Sequence, residues 1–398
     1  LSVDHAGPLA FVDDLLREAK GRGVWRWPRL LEGAQEPVAR YDGREVINLC
    51  SNNYLGLATH PALKTAALEA ISRFGVGSGA VRTIAGNMSI HQELEAELAR
   101  FKHTEATLLY QSGFTANAGT VAAILEKGDV VVSDELNHAS LIDGCRLSGA
   151  EKKIYPHKDV EAARKMLAES RGARRLLLIT DGVFSMDGDI APLPALVEAA
   201  EAHGAIMMVD DAHASGVVGK DGRGTVDHFA MHGRVHIQVG TLSKAFAGLG
   251  GYVAGSRALV EWLMHRARPL LFSTSHPPSV AASALAAVRL VQRDPELIRR
   301  LWDNTRFFKE GLARLGFDTG HSETPITPVI IGDEGQALQF SDRLFDEGVF
   351  AVGLAFPTVP RGKARVRTIV TAGHTMEHLE RALAAFKRAG TALGVIAS

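Results

Sequence analysis

Lys244 stands alone in "TLSKAFAGLGGYVAG" (Thr241–Gly255), the one charged residue in an apolar, glycine-dense stretch. A buried ammonium without a partner is costly. A lysine with its head in water lays its stem on apolar surface, and the flanking Ala and Gly residues offer little. The other reading is an amine in a low-dielectric pocket, where its pKa falls and it forms a Schiff base. Further residues suit that chemistry. In "QSGFTANAG" (111–119), Ser112-Gly113 sits where a strand-like run turns into a helix. Glycine there admits a phosphate to the free N–H groups of a helix N-terminus. Alone this is an ordinary turn, and no GxGxxG or GxxxxGK[ST] pattern accompanies it. In "VDDAH" (209–213), two aspartates and His213 exceed what a helix cap needs, so one acid can cap while the other meets a ligand. His138 opens a helix in "LNHASLIDG" (136–144), and Ser185 lies in "GVFSMDGD" (182–189). Phosphate cradle, aspartate, histidine and desolvated lysine together point to pyridoxal 5'-phosphate. That cofactor needs a lysine Schiff base, a carboxylate on its pyridinium nitrogen and a phosphate site.

Such residues need a scaffold. "ATLLY" (Ala106–Tyr110), "DVVVSD" (Asp129–Asp134), "RLLLITD" (Arg175–Asp181) and "AIMMVDD" (Ala205–Asp211) are short apolar runs with helical patterns between them. That alternation predicts βαβ units around a buried, mainly parallel sheet flanked by helices, an α/β fold. Ligands of such sheets bind beyond the carboxyl ends of the strands. Four ends, read as adjacent, carry the residues above, and "VHIQVG" (Val235–Gly240) sets Lys244 beyond another. Helices are expected over Ile90–Phe101 and Pro192–His203. After about residue 290 the pattern changes to a long helix (Asp294–Leu315), two strands (Ile326–Ile331, Ala364–Val370) and a last helix from about Thr375. The chain therefore divides into a helical arm with a short strand, "REVINL", over 1–55, a large domain over 56–290 and a smaller α+β domain over 291–398. In "KARVRTIV" (363–370), Arg365 and Arg367 share one strand face. Either guanidinium could clamp a carboxylate, and periodicity does not choose between them.

Bulk properties exclude other classes. The 398 residues are 46% hydrophobic and 22% charged with net charge −1, so no basic field draws the chain to nucleic acid or acidic lipid. Two cysteines (Cys50, Cys145) and scattered histidines give no disulfide framework and no metal-site spacing. Apolar runs such as Val280–Val288 fall short of the ~20 residues that span a bilayer. The first residues lack the build of a signal peptide, and a reducing cytoplasm is the expected compartment.

Seven segments in order resemble a known family: "INLCSNNYLGLATHP" (Ile47–Pro61), "GSGAVRTIAG" (Gly77–Gly86), "SDELNHASLIDG" (Ser133–Gly144), "TDGVFSMDGDIAPL" (Thr180–Leu193), "VDDAHASGVVG" (Val209–Gly219), "GTLSKAFAGLGGY" (Gly240–Tyr252) and "RVRTIVTAGHT" (Arg365–Thr375). The chain resembles the α-oxoamine synthases, pyridoxal-phosphate enzymes of fold type I that join an amino acid to an acyl-CoA with loss of CO₂. The resemblance implies that Lys244 carries the cofactor, Asp210 pairs with its ring nitrogen and His138 stacks on its ring. His213 and Ser185 would lie near the ring hydroxyl. Ser112, Gly113, Phe114 and Thr241 would hold the phosphate, with Ser273 and Thr274 reaching the phosphate of a second subunit in a homodimer. Arg367, helped by Asn52, would bind the amino-acid carboxylate. "GSGAVRTIAG" and "DGVFSMDGDIAP" resemble the glycine C-acetyltransferase branch, which implies glycine and acetyl-CoA as substrates. Asn87 departs from that branch's usual Thr. The alternatives are an 8-amino-7-oxononanoate synthase, taking L-alanine and a pimeloyl thioester, or a broad-specificity relative; an aminotransferase or a non-catalytic subunit on this fold is further off.

Overall fold

The structure, a computed structural model, describes residues 7–21, 25–356 and 358–397. Residues 1–6 and 22–24 of the expected N-terminal arm lie outside them. Strands β1 (Val38–Tyr41) and β2 (Arg44–Asn48) form a hairpin turned by Asp42-Gly43, both with positive φ. An Asp-Gly pair suits such a two-residue turn because both central positions must be left-handed.

Seven strands follow: β3 (Ala106–Tyr110), β4 (Val130–Asp134), β5 (Glu151–Tyr155), β6 (Leu176–Asp181), β7 (Ile206–Asp210), β8 (Ile237–Thr241) and β9 (Gly251–Gly255). They form one sheet in the order β3-β9-β8-β7-β6-β4-β5. All run the same way except β9, which is antiparallel to both neighbours. The sheet is therefore mixed, with parallel central strands as expected. One expectation fails: β3 is not adjacent to the other site-bearing ends, because β8 and β9 lie between it and β7. β9 is "GYVAG", whose glycines hid a strand inside what read as a loop.

The apolar runs are continuous because both faces are covered. Val130, Val132, Leu176, Leu178, Met207 and Val209 pack on one face, with Leu167, Leu196 and Val197 from the helices Val160–Glu169 and Leu193–Ala202. Val131, Leu177, Ile179, Met208, Ile237 and Val239 pack on the other, with Val121, Leu141 and Leu263 from the helices Gly113–Ile124, Ala139–Ser148 and Arg257–Arg266. Alternate residues thus serve opposite cores. Each such side chain contributes roughly 1.5–3 kcal/mol on burial.

The last third holds the long helix Glu296–Arg314, then β10 (Ile326–Gly332), the helix Glu334–Asp346, β11 (Val349–Phe350), β12 (Val352–Leu354), β13 (Ala364–Ile369) and the helix Met376–Ala392. β13 lies between β10 and β12, antiparallel to both. β11 instead pairs in parallel with β2, Val349 opposite Ile47. Ile47 and Leu49 pack in one cluster with Phe308, Leu312, Phe340 and Phe386, so the early strand shares a core with the end of the chain. No helix among the described residues is long and apolar enough to cross a membrane.

Candidate active site

The carboxyl ends of the parallel strands bound one cavity. It is lined by Gly113, Phe114, Asn117, His138, Ser140, Asp181, Val183, Asp210, Ala212, His213, Thr241 and Lys244. Seven of the residues singled out in the sequence meet here: Gly113, Phe114, His138, Asp210, His213, Thr241 and Lys244. Gly113 opens the helix Gly113–Ile124, where first-turn N–H groups have no intrahelical partner. A methyl group on Gly113 would already touch Thr241 Cβ at 3.4 Å, so the two walls nearly meet. The Thr241 hydroxyl donates to Gly250 O at 2.8 Å.

The two aspartates of "VDDAH" point to different surroundings. Asp210 faces the cavity; its Oδ1 accepts from Ala212 N (2.8 Å) and its Oδ2 from Asn117 Nδ2 (2.6 Å). Asp211 is fully buried and ion-paired with Lys102 Nζ at 2.9 Å, and it accepts from the N–H and hydroxyl of Thr225. A buried carboxylate so satisfied does not need a ligand. Asp181, at the end of β6, is the register partner of Asp210. Burial and the neighbouring Asp210 push its carboxyl well above the usual range, and its Oδ1 has no hydrogen-bond partner among the described residues.

Both histidines are locked in orientation. Asn117 Nδ2 also donates to Ser140 Oγ (2.9 Å), so the Ser140 hydroxyl proton goes to His138 Nδ1 (2.7 Å), and the ring proton of His138 is assigned to Nε2. Burial lowers the His138 pKa, with Asp210 opposing and Lys244 adding to the effect. Tyr54, whose own pKa burial raises, places its hydroxyl 2.8 Å from His213 Nδ1. Burial, then Lys244 and Arg367, hold His213 well below the ordinary histidine range, so it is neutral and its proton too is assigned to Nε2. Burial lowers Lys244 to about 8, against the pull of Asp210 and Asp181.

The remaining expected residues stand off the cavity. Ser112 is the helix N-cap: its Oγ accepts from Thr115 N (3.1 Å) while Thr115 Oγ1 accepts from Ser112 N (3.0 Å), a reciprocal capping box. Ser185 is touched through its carbonyl, which accepts from Arg367 Nε at 2.6 Å. Arg365, on the same strand face, is already paired with Asp187 (2.6 Å) and Met186 O (3.0 Å). Arg367 is buried, and among the described residues it has no carboxylate partner. Asn52 keeps a buried, unpartnered Oδ1. Ser273 and Thr274 meet Gln111 Nε2 through their carbonyls, and neither lines the cavity of its own chain.

Asn117, Asp181 and Tyr54 were missed. Asp181 ends a strand as Asp210 does, and the same reasoning would have found it. Asn117 lies one helical turn after Gly113, a spacing that puts both on one face. Tyr54 carried no signal of its own.

The residues present fit pyridoxal phosphate: the Asp210 carboxylate with Asp181 beside it, an amine of lowered pKa, a neutral imidazole and a helix N-terminus converge on one space. Residues 44–386 match the family model for aminotransferase class I and II. The chain belongs to that family of pyridoxal-phosphate enzymes with the fold type I architecture. Within it, the chain is one of the α-oxoamine synthases. It is 61% identical to the 8-amino-7-oxononanoate synthase of Symbiobacterium thermophilum, over 98% of this chain and 100% of that one. It is 54% identical to 8-amino-7-oxononanoate synthase 1 of Bacillus subtilis, over 94% and 95%. Among solved structures, serine palmitoyltransferase from S. paucimobilis with a bound PLP–myriocin aldimine superposes with a TM-score of 0.93 at 32% identity, covering 98% of this chain and 100% of that one. The 8-amino-7-oxononanoate synthase of Francisella tularensis gives 0.74 at 27%, covering 86% and 97%.

These relatives do not support the glycine C-acetyltransferase expectation and favour its alternative. Asp181 and Val183 of the segments behind that expectation line the cavity, and several of the other residues are tied up in hydrogen bonds. Ser78 Oγ donates to Ser275 O (2.8 Å), Ser275 Oγ donates towards Ala80 O (2.9 Å) and Gly86 O (2.7 Å), and Asn87 accepts from Arg82 Nε (2.9 Å). Asp189 in "DGVFSMDGDIAP" binds His157 and Lys158. Residues held for the fold do not report which acyl chain fits.

Proposed function

We propose that this chain catalyses the reaction of an 8-amino-7-oxononanoate synthase, in which L-alanine and a pimeloyl thioester condense with release of the thiol and CO₂. The observation that carries this is near full-length identity of 54–61% to curated relatives of that name. When bound, pyridoxal phosphate supplies an electron sink for the amino-acid α-carbon. The chain's residues do the rest. Arg367, free of any described carboxylate partner, holds the amino-acid carboxylate, with Asn52 beside it. Lys244 Nζ, with its pKa near 8, takes the α-proton and later returns one. Asp210, fixed by Asn117 and Ala212, keeps the ring nitrogen protonated. His138 would cover the ring on one side and His213 would serve the ring hydroxyl, with Ser185 standing off the cavity wall. The N–H groups of Gly113 and Phe114, with Thr241, take the phosphate, in a turn that Ser112 caps. Two chains pair so that Ser273 and Thr274 of each complete the phosphate site of the other, and the enzyme works in the cytoplasm.

The test is a panel of acetyl-, hexanoyl- and pimeloyl-CoA against glycine, alanine and serine, following free thiol and product mass. Alanine with pimeloyl-CoA should give the highest kcat/KM. Faster turnover of glycine with acetyl-CoA would overturn the proposal in favour of the other branch, and keto-acid-dependent amino transfer would point to an aminotransferase.

A further inference from the structure

Outside the active site, His103, Asp227 and His232 bring one ligand atom each to within 4.8 Å of one another. His103 caps the carboxyl end of the helix Ser89–Lys102 with a left-handed φ of 53°. Asp227 lies in the short helix Thr225–His228, and His232 follows it by five residues. His232 Nε2 is 2.9 Å from Asp227 Oδ1. The rings of His103 and His232 lie 4.8 Å apart, tilted by 33°. The other ring nitrogen, His232 Nδ1, is buried with no hydrogen-bond partner among the described residues. A fold that needed only the His232–Asp227 bond would have no use for a second imidazole stacked on it.

We propose that His103, Asp227 and His232 form a surface site for a divalent transition-metal ion of the zinc class, with water completing the coordination. Two imidazoles and a carboxylate are zinc ligands, at about 2.0–2.2 Å from the ion. Tetrahedral ligands at those lengths sit about 3.3 Å from one another. The Asp227–His232 pair needs to open slightly and His103 to close in by about 1.5 Å or less, which an exposed capping residue can do. Imidazole ligation disfavours calcium and magnesium, which take oxygen. Arg223 opposes the cation but is itself paired with Asp221. The ion would also reach the interior. Lys102, which precedes His103, and Thr225, two residues before Asp227, both bind Asp211, the neighbour of Asp210. A bound ion would therefore tie together the two segments that hold Asp211 in place.

The test uses the holoenzyme, freed of metals with a chelator and titrated calorimetrically with Zn²⁺. One ion per chain should bind, with Tm rising about 3 °C at a hundredfold excess over Kd. Co²⁺ in its place should show the visible absorption of a four-coordinate nitrogen-oxygen site. His103→Ala, at an exposed position, leaves the fold intact and should weaken binding tenfold or more, and Asp227→Asn should do the same. Unchanged zinc affinity in His103→Ala, or a cobalt spectrum of six oxygen ligands, overturns the proposal.

Discussion

At the scale of single residues, burial sets the protonation of the site's amine against the pull of two neighbouring carboxyl groups. Lys244 is held near pKa 8 by burial, so in the cofactor-free protein it carries an unfavourable charge below that pH. In the unfolded chain it titrates near 10.5, so between about pH 8 and 10.5 the unfolded state binds more protons and the folded state gains stability as pH rises. Cofactor-free Lys244→Met should therefore melt higher than wild type at pH 7, and the gap should narrow towards about pH 10. A gap independent of pH would mean that Lys244 is not desolvated. The arginines offer a second test. Arg367→Ala should raise the KM for the amino acid about tenfold or more, with little change for the thioester, because a charge-assisted clamp is lost. Arg365→Ala should lower Tm through loss of Asp187 and leave that KM alone. The reverse pattern would exchange the two assignments.

At the scale of elements, the strand ends were readable because buried parallel strands are apolar runs, and the residue after each run must be where polarity begins. That is why Gly113, His138, Asp210 and Lys244 could be collected from the sequence. The order of the strands was not readable, since β9 is a short run flanked by glycines and, besides the neighbouring β8, it pairs with β3, some 140 residues earlier in the chain. Asp211 was also opaque: only the fold brings Lys102, 109 residues earlier, to its carboxylate. Arg365 and Arg367 share a face, so periodicity could not choose between them; the resemblance chose Arg367, and the pairing of Arg365 with Asp187 is consistent with that choice. The capping box at Ser112 gives a prediction at this scale. Ser112→Ala should cost about 1 kcal/mol by urea denaturation with an unchanged m-value, and should hasten loss of cofactor on dialysis. Cofactor retention equal to wild type would mean that the cap does not set the phosphate turn.

At the scale of the whole molecule, the proposed sharing of a phosphate site between two subunits makes a statistical prediction. On that proposal, inactive Lys244→Ala chains refolded with equal amounts of a Ser273→Ala/Thr274→Ala variant should form hybrid dimers in which one of the two sites is intact. Recovery of up to about a quarter of wild-type activity is expected for random pairing in a twofold dimer. Recovery no greater than the sum of the two variants alone would place these residues outside any partner's site. The pairing of β2 with β11 bears on synthesis. Ile47 lies opposite Val349, so an early strand must leave the ribosome and wait until some 302 further residues have been made. At 5–20 residues per second that is roughly 15–60 s with an apolar edge uncovered. Nascent chains stalled before residue 349 should be cut by protease around 38–49, and chains stalled well past it should be protected. The interval is a window in which a chaperone has something to hold.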